Sequence, residues 1–326
     1  MKALQIVKYG ELKDSLSINE IAKPSITSSD ILVEVKAASI NPIDYKLAEG
    51  HLKDMVPLNL PCAIGFDVSG VVVEKGTDVG NFEVGDTVYS RVPQEQMGTV
   101  AEYVAIYSNV VAKKPTNSSF EEAAGLPLAG LTALQALERV DLKENDRILI
   151  HAGSGGVGSF AIQYAKVKGA YVYTTTSTKN VDMVKALGAD RVIDYKTEDY
   201  KTIAKDLDIV FDTLGKNYTF EAFELIKDGG KVTTTVGPPD EETAKHMGMT
   251  DYKLPEQLSN LISEKSAIYK LTWMQPNGEQ LNTFTAMVEN GAIKPLVDKV
   301  YTFKNSVEAY EYLATGRAKG KVIVSI

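Results

Sequence analysis

The run Arg147-Ile148-Leu149-Ile150-His151-Ala152-Gly153-Ser154-Gly155-Gly156-Val157-Gly158 constrains this chain more than any other stretch. An apolar strand enters a turn whose Gly153, Gly155 and Gly158 have the spacing G-x-G-x-x-G, and a helical pattern over 156–168 follows. Three glycines suit three demands: a tight turn, close approach of backbone to a pyrophosphate, and close packing of helix on strand. The helix N-terminus then offers free N–H groups and the positive end of its dipole to phosphate. The spacing alone is weak evidence. Its strand–turn–helix setting makes a dinucleotide site the expectation, with a merely tight turn as the alternative.

The end of the next strand bears on which dinucleotide. A site for NADH usually carries Asp or Glu about 20 residues on, to hold the ribose hydroxyls. Here the strand ends Thr174-Thr175-Thr176-Ser177-Thr178-Lys179, and no carboxylate occurs between Asp146 and Asp182. Hydroxyls and a lysine suit a dianionic 2′-phosphate, whereas an acid would repel it. The expected cofactor is NADPH, held by Thr176, Ser177, Thr178 and Lys179; a solvated polar strand end is the plainer alternative.

The 326 residues are enough for about two domains. Residues up to about 118 read as short strands between turns, as in Ile31-Leu32-Val33-Glu34-Val35, with alternate residues on one face. A capping box, Ser118 with Glu121 or Ser119 with Glu122, opens a helix there. Strands at 147–151, 171–175, 191–193, 208–212, 231–236 and 268–273 then alternate with helical segments, the pattern of a doubly wound parallel sheet. Strands near 296–303 and 321–325 have no place in that sheet and are expected to return to the first domain.

Net charge −8 argues against nucleic acid and anionic membranes, since neither attracts an acidic surface. No apolar run reaches the ~20 residues of a membrane span. One cysteine, Cys62, allows no internal disulfide, which fits a reducing, cytoplasmic setting. Cys62 and the three histidines have no metal-ligand spacing. His151 reads as structural, His51 as near a substrate mouth, and His246 as a surface residue. Tyr45, Tyr252 and Trp273 suit either a substrate wall or core packing. The polar span 238–252 suits a mobile cover.

Taken together, His151 to Gly158, Gly130-Leu131-Thr132-Ala133 and Gly316-Arg317-Ala318-Lys319-Gly320-Lys321 resemble quinone oxidoreductases of the medium-chain dehydrogenase/reductase superfamily. Asn41-Pro42-Ile43-Asp44-Tyr45-Lys46 and Pro276-Asn277-Gly278-Glu279-Gln280-Leu281 narrow the likeness to enone oxidoreductases and alkenal reductases. It covers nearly the whole chain. The resemblance implies an α/β fold: a GroES-like, β-rich catalytic domain from 1–120 and 276–326, plus a Rossmann NADPH-binding domain at 121–275. It places Gly156 and Val157 at the pyrophosphate, and Tyr195 with the strand-end hydroxyls at the 2′-phosphate. Thr132, Leu214, Val236 and Gly237 would line the nicotinamide and its ribose, with Arg317 on the cofactor's far side. Asn41, Asp44 and Lys46 would stand beside the reactive ring face as the catalytic group, Lys46 also touching cofactor.

Zinc alcohol dehydrogenases of the superfamily place a catalytic Cys where this chain has Asn41, and a His-Glu pair at Phe66-Asp67; no metal site is therefore expected. Alcohol oxidation without a Lewis acid loses its main electrostatic aid, whereas hydride addition to a conjugated alkene needs only hydrogen-bond donors for its enolate. The expected substrates are enones, 2-alkenals or quinones. A zinc-free carbonyl reductase and an NADPH-binding protein without catalysis are the rivals. The resemblance allows a homodimer or a monomer.

Overall fold

A computed structural model describes residues 1–326. The chain divides into two compact units, Met1–Leu131 with Gln275–Ile326, and Thr132–Met274. The division falls inside the helix Pro127–Arg139.

The first unit is built on a seven-stranded sheet centred on Asp30–Ile40. This strand pairs antiparallel with Asp67–Lys75, Tyr103–Tyr107 and Lys321–Ser325. Leu16–Glu20, Lys2–Ile6 and Cys62–Ala63 make a smaller sheet. Inward residues of both, among them Leu4, Ile6, Val33 and Val324, share one apolar core with Ile64 and Phe66 of the link between them. The last two strands, Val297–Thr302 and Lys321–Ser325, lie in this unit and pair in parallel. A parallel pair needs a crossover, supplied here by the helix Ser306–Ala314. Of the two possible capping boxes the chain forms Ser119 with Glu122: each side chain meets the other's backbone N–H, at 3.2 and 2.9 Å.

The second unit is a six-stranded, all-parallel sheet in the order Arg191–Asp194, Tyr171–Thr176, Arg147–Ile150, Leu207–Asp212, Ile226–Thr234, Ile268–Leu271. Successive strands step outward one way from Arg147–Ile150 and then the other way from Leu207–Asp212. That reversal is the switch point where ligands sit against the carboxyl ends of such sheets. Two strands stop short of their sequence-expected ends. Ile226–Thr234 leaves Val236 and Gly237 in a turn, and Ile268–Leu271 leaves Trp273 outside the sheet.

Within the polar span 238–252 the first half is helical and bonded to its surroundings. Asp240 caps the helix Glu241–His246, where its carboxylate accepts from Thr243 Oγ1 at 2.7 Å. It also accepts the Leu271 N–H at 2.8 Å and pairs with Arg139 at 3.3 Å. These bonds tie the helix to the edge strand.

Candidate active site and its cofactor edge

At the carboxyl edge of the parallel sheet, the turn after Arg147–Ile150 is tight enough that Ala152 adopts φ 52°. A Cβ on Gly153 would lie 2.2 Å from Thr174 Oγ1, and one on Gly158 would lie 2.4 Å from the Ala152 carbonyl. Glycine is required at both by packing. Gly155 differs, its nearest obstacle lying 3.3 Å away. It begins the helix Gly156–Val167, which has no side-chain cap. The first-turn N–H groups, including those of Gly156, Val157 and Gly158, lack intrahelical acceptors and remain available to an anion.

The adjacent strand ends in buried hydroxyls. Thr176 is 2% exposed and its Oγ1 has no partner. Ser177 is linked to Ser154 of the glycine turn through Asn180, whose amide donates to both hydroxyls at 3.3 and 3.2 Å. Asn180 Oδ1 is also without a partner. Thr178 and Lys179 are exposed. An unsatisfied buried hydroxyl, an exposed ammonium and an uncapped helix fit a dinucleotide with a phosphorylated ribose. Sequence reasoning missed Asn180, although its place before the helix Val181–Ala186 was a usable signal. It also missed Asp194, which parallel pairing sets beside Thr176. A hydrogen bond with the Thr178 side chain, foremost, holds Asp194 below the usual carboxylate range. The edge is therefore not free of carboxylates: Asp194 also accepts the Lys196 N–H at 3.1 Å, so it is held by the protein's own donors.

Tyr195, Leu214 and Val236 are 57%, 41% and 46% exposed, large side chains left open at successive strand ends. Asp212, fully buried, organises two of them. Its carboxylate accepts the N–H groups of Leu214 and Gly215 at 2.8 and 2.9 Å and the hydroxyls of Thr219 and Thr234 at 2.6 and 3.1 Å. Thr234 Oγ1 in turn accepts the N–H groups of Val236 and Gly237. His151 is buried between the edges of Tyr200 and Tyr218, with ring centroids 5.1 and 5.2 Å away. Burial pulls its pKa down to about 4, so it is neutral near pH 7.

The first unit gathers the other candidates differently. Asn41 is 1% exposed and donates its amide to Asp67 Oδ2 at 2.9 Å. Its Oδ1 accepts from the ammonium of Lys321, a residue 4% exposed whose Nζ also lies 3.4 Å from Asp67 Oδ2. The other oxygen of Asp67 accepts the Leu128 N–H at 2.8 Å, in the first turn of Pro127–Arg139. Burial pushes Asp67 up, and the Lys321 charge opposes the shift. Asp44 is also fully buried; Oδ2 accepts the Asn41 N–H at 2.8 Å and the Tyr310 hydroxyl at 3.4 Å. Oδ1 has no partner, and desolvation pushes its pKa up to about 7.

Asn41 and Asp44 therefore need correction as groups that touch substrate: both are buried, and the Asn41 amide and Asp44 Oδ2 are bonded within the protein. Lys46 is different. It is half-buried on the helix Pro42–Ala48, and its ammonium has no hydrogen-bond or ion-pair partner. Thr132 is buried and Arg317 is exposed. His51 is exposed and pairs with Glu49 at 3.4 Å, while His246 bonds the Glu242 carbonyl on its own helix. Cys62 is half-buried, and burial raises its thiol pKa.

The donor set does not fit a metal. No three His, Cys, Asp or Glu side chains come together to hold one, and at the Asn41–Asp67 position a divalent ion would meet the Lys321 ammonium. Phe66 instead packs under Arg91, whose guanidinium lies 4.6 Å from the ring centre.

Comparison with known proteins adds a family. Residues 27–116 match the alcohol dehydrogenase GroES-like domain, and residues 187–324 match the zinc-binding dehydrogenase model. Over 99% of its length the chain is 35% identical to the 2-methylene-furan-3-one reductase of Solanum lycopersicum, spanning 79% of that protein. Identity and coverage are the same for the NADPH-dependent alkenal/one oxidoreductase, chloroplastic, of Arabidopsis thaliana. The quinone oxidoreductase structure from Coxiella burnetii superposes with a TM-score of 0.88 at 33% identity, covering 100% of this chain and 99% of the other.

Proposed function

Because the chain belongs to the quinone and enone oxidoreductases of the medium-chain dehydrogenase/reductase superfamily, in the branch without catalytic zinc, we propose that it is an NADPH-dependent reductase of activated C=C bonds or quinones. The observation that carries this reading is the cofactor edge: an uncapped helix after a glycine turn, beside a buried Thr176 hydroxyl that lacks a partner. When bound, NADPH supplies a hydride, two electrons with one proton.

The protein's part is binding, orientation and charge. The N–H groups of Gly156 and Val157 meet the pyrophosphate, while Thr176, Ser177 and Lys179 meet the 2′-phosphate. Asp212 holds Leu214 and Val236 where they can flank the nicotinamide. Lys46 is the one candidate of the catalytic group with an uncommitted donor, and it meets the oxygen on which enolate charge develops. One such donor is worth about 2.7–4 kcal/mol in a transition state. Asn41 and Asp44 support its helix from behind. No helix of the chain is long and apolar enough to cross a membrane. The single cysteine supports placing the protein in the cytoplasm.

Turnover of 2-cyclohexen-1-one, 1,4-benzoquinone and a saturated aldehyde, with deuteride-labelled NADPH, tests the proposal. The label is expected at the β-carbon of the enone. Label at a carbonyl carbon would replace this reading by carbonyl reduction, and binding without turnover would replace it by a non-catalytic role.

A further inference from the structure

A lysine 280 residues from Asn41 occupies the centre of the buried cluster, where its charge is not needed to close a strand. An ammonium at 4% exposure is expensive to desolvate, and an apolar replacement of the whole Lys321–Asp67 pair would often be neutral or better for stability. What the ammonium does there is directional. It occupies Asn41 Oδ1, which leaves the Asn41 amide pointing to Asp67 and to the Ser39 carbonyl, at 2.9 and 3.4 Å. The Asn41 backbone N–H, at the start of Pro42–Ala48, is accepted by Asp44 at 2.8 Å. Asp67, gripped by the same ammonium, holds the first turn of Pro127–Arg139 through Leu128, one turn before Thr132.

We propose that Lys321 is a positioning residue of the reductase. Through Asn41 it sets the start of the helix that carries Lys46, and through Asp67 it sets the start of the helix that carries Thr132. The inference rests on the reading of Lys46 given above. A cation of the protein's own takes up the Asn41–Asp67 position, and three segments far apart in the chain converge on it.

The test compares the full-length protein with Lys321→Met and with the double variant Lys321→Met/Asp67→Asn, which leaves no unpaired charge in the pair. Lys321→Met should lower the single-turnover hydride-transfer rate on 2-cyclohexen-1-one by ~10-fold or more, with NADPH affinity changed less than ~2-fold. Amide hydrogen exchange over 42–48 and 128–131 should quicken in the same variant. The double variant should recover thermal stability while rate and exchange stay perturbed, because Asn41 Oδ1 still lacks its donor. Recovery of all three in the double variant would reduce Lys321 to charge balance and overturn the proposal. So would a normal rate in Lys321→Met, or a loss confined to NADPH binding. If Lys321→Met alone does not fold, the double variant decides: a low rate supports the proposal and a normal one overturns it. Amide exchange requires no turnover, so unchanged exchange defeats this inference alone. Absent turnover in the unaltered protein defeats the reductase reading and with it this inference.

Discussion

At the cofactor edge, the helix Gly156–Val167 begins without a side-chain cap and Thr176 keeps a hydroxyl without a partner. In the other unit, Lys321, Asn41 and Asp67 are equally hidden from solvent, yet they satisfy one another. A buried polar group left open costs free energy until a ligand completes it, whereas a closed cluster stabilises only as long as every member stays. One region presents donors that no protein group uses; the other uses its polar groups to hold backbone in place. Lys46 lies between these cases, an uncommitted ammonium on a helix started by the complete cluster.

The sharpest way to break this contrast is to remove one member of the closed cluster. Asp67→Ala leaves the Lys321 charge buried and unpaired, so urea unfolding should show a loss of about 3–5 kcal/mol. A loss below ~1 kcal/mol would mean that the cluster is open to water and resembles the cofactor edge after all. The glycine turn supplies the next test, because it contains both kinds of position. Gly158→Ala drives a Cβ into the Ala152 carbonyl and should destabilise by about 1–3 kcal/mol. Gly155→Ala meets nothing closer than 3.3 Å; its stability should stay near wild type while NADPH binding weakens. Equal melting temperatures for the two variants would refute the assignment of packing to one and ligand approach to the other.

Titration separates two buried groups, one in each unit, by sign. Burial raises Asp44 from its ordinary 3.8 to about 7, so between those values the folded state holds a proton that the unfolded chain has lost. Its contribution is fully present below pH 3.8 and is lost as pH rises through 7. Burial lowers His151 from 6.5 to about 4, so between these values it is the unfolded chain that holds the extra proton. That contribution is present above pH 6.5 and is lost as pH falls through 4. Each slope approaches about 1.4 kcal/mol per pH unit, and over their shared window they oppose. These two contributions should largely cancel from pH 4 to 6.5, so stability should rise with pH more steeply in Asp44→Asn than in the wild type. An unchanged slope in that variant would place the titration elsewhere. The smallest effect belongs to the exposed Lys179. Lys179→Ala should weaken NADPH about tenfold, the size of one charge-assisted bond, and leave NADH unchanged. Equal loss for both cofactors, measured by fluorescence titration, would remove Lys179 from the 2′-phosphate.

Legibility followed distance along the chain. The glycine turn, a capping box at Ser118 or Ser119 and the alternation of strands and helices were readable, since each is set by residues within a few positions; the structure chose Ser119. The missing metal ligands were readable too, because side-chain identity alone decides what Asn41 and Phe66 can bind. Family likeness supplied Lys46, Leu214 and Val236, which no local pattern marks. Asp44 was misread as facing substrate because nothing in Asn41-Pro42-Ile43-Asp44 tells which way a carboxylate points. Its burial depends on Tyr310, on another element altogether.

Asp194 beside Thr176, Asp212 behind Leu214 and Val236, and Lys321 between Asn41 and Asp67 all depend on which strands become neighbours. The sequence by itself determined the elements, the glycine turn and the absence of metal donors, because backbone sterics and side-chain chemistry act locally. Only the tertiary structure decided which charges are buried together. That choice belongs to the free energy of the folded assembly, in which desolvation and pairing are weighed between residues up to 280 positions apart.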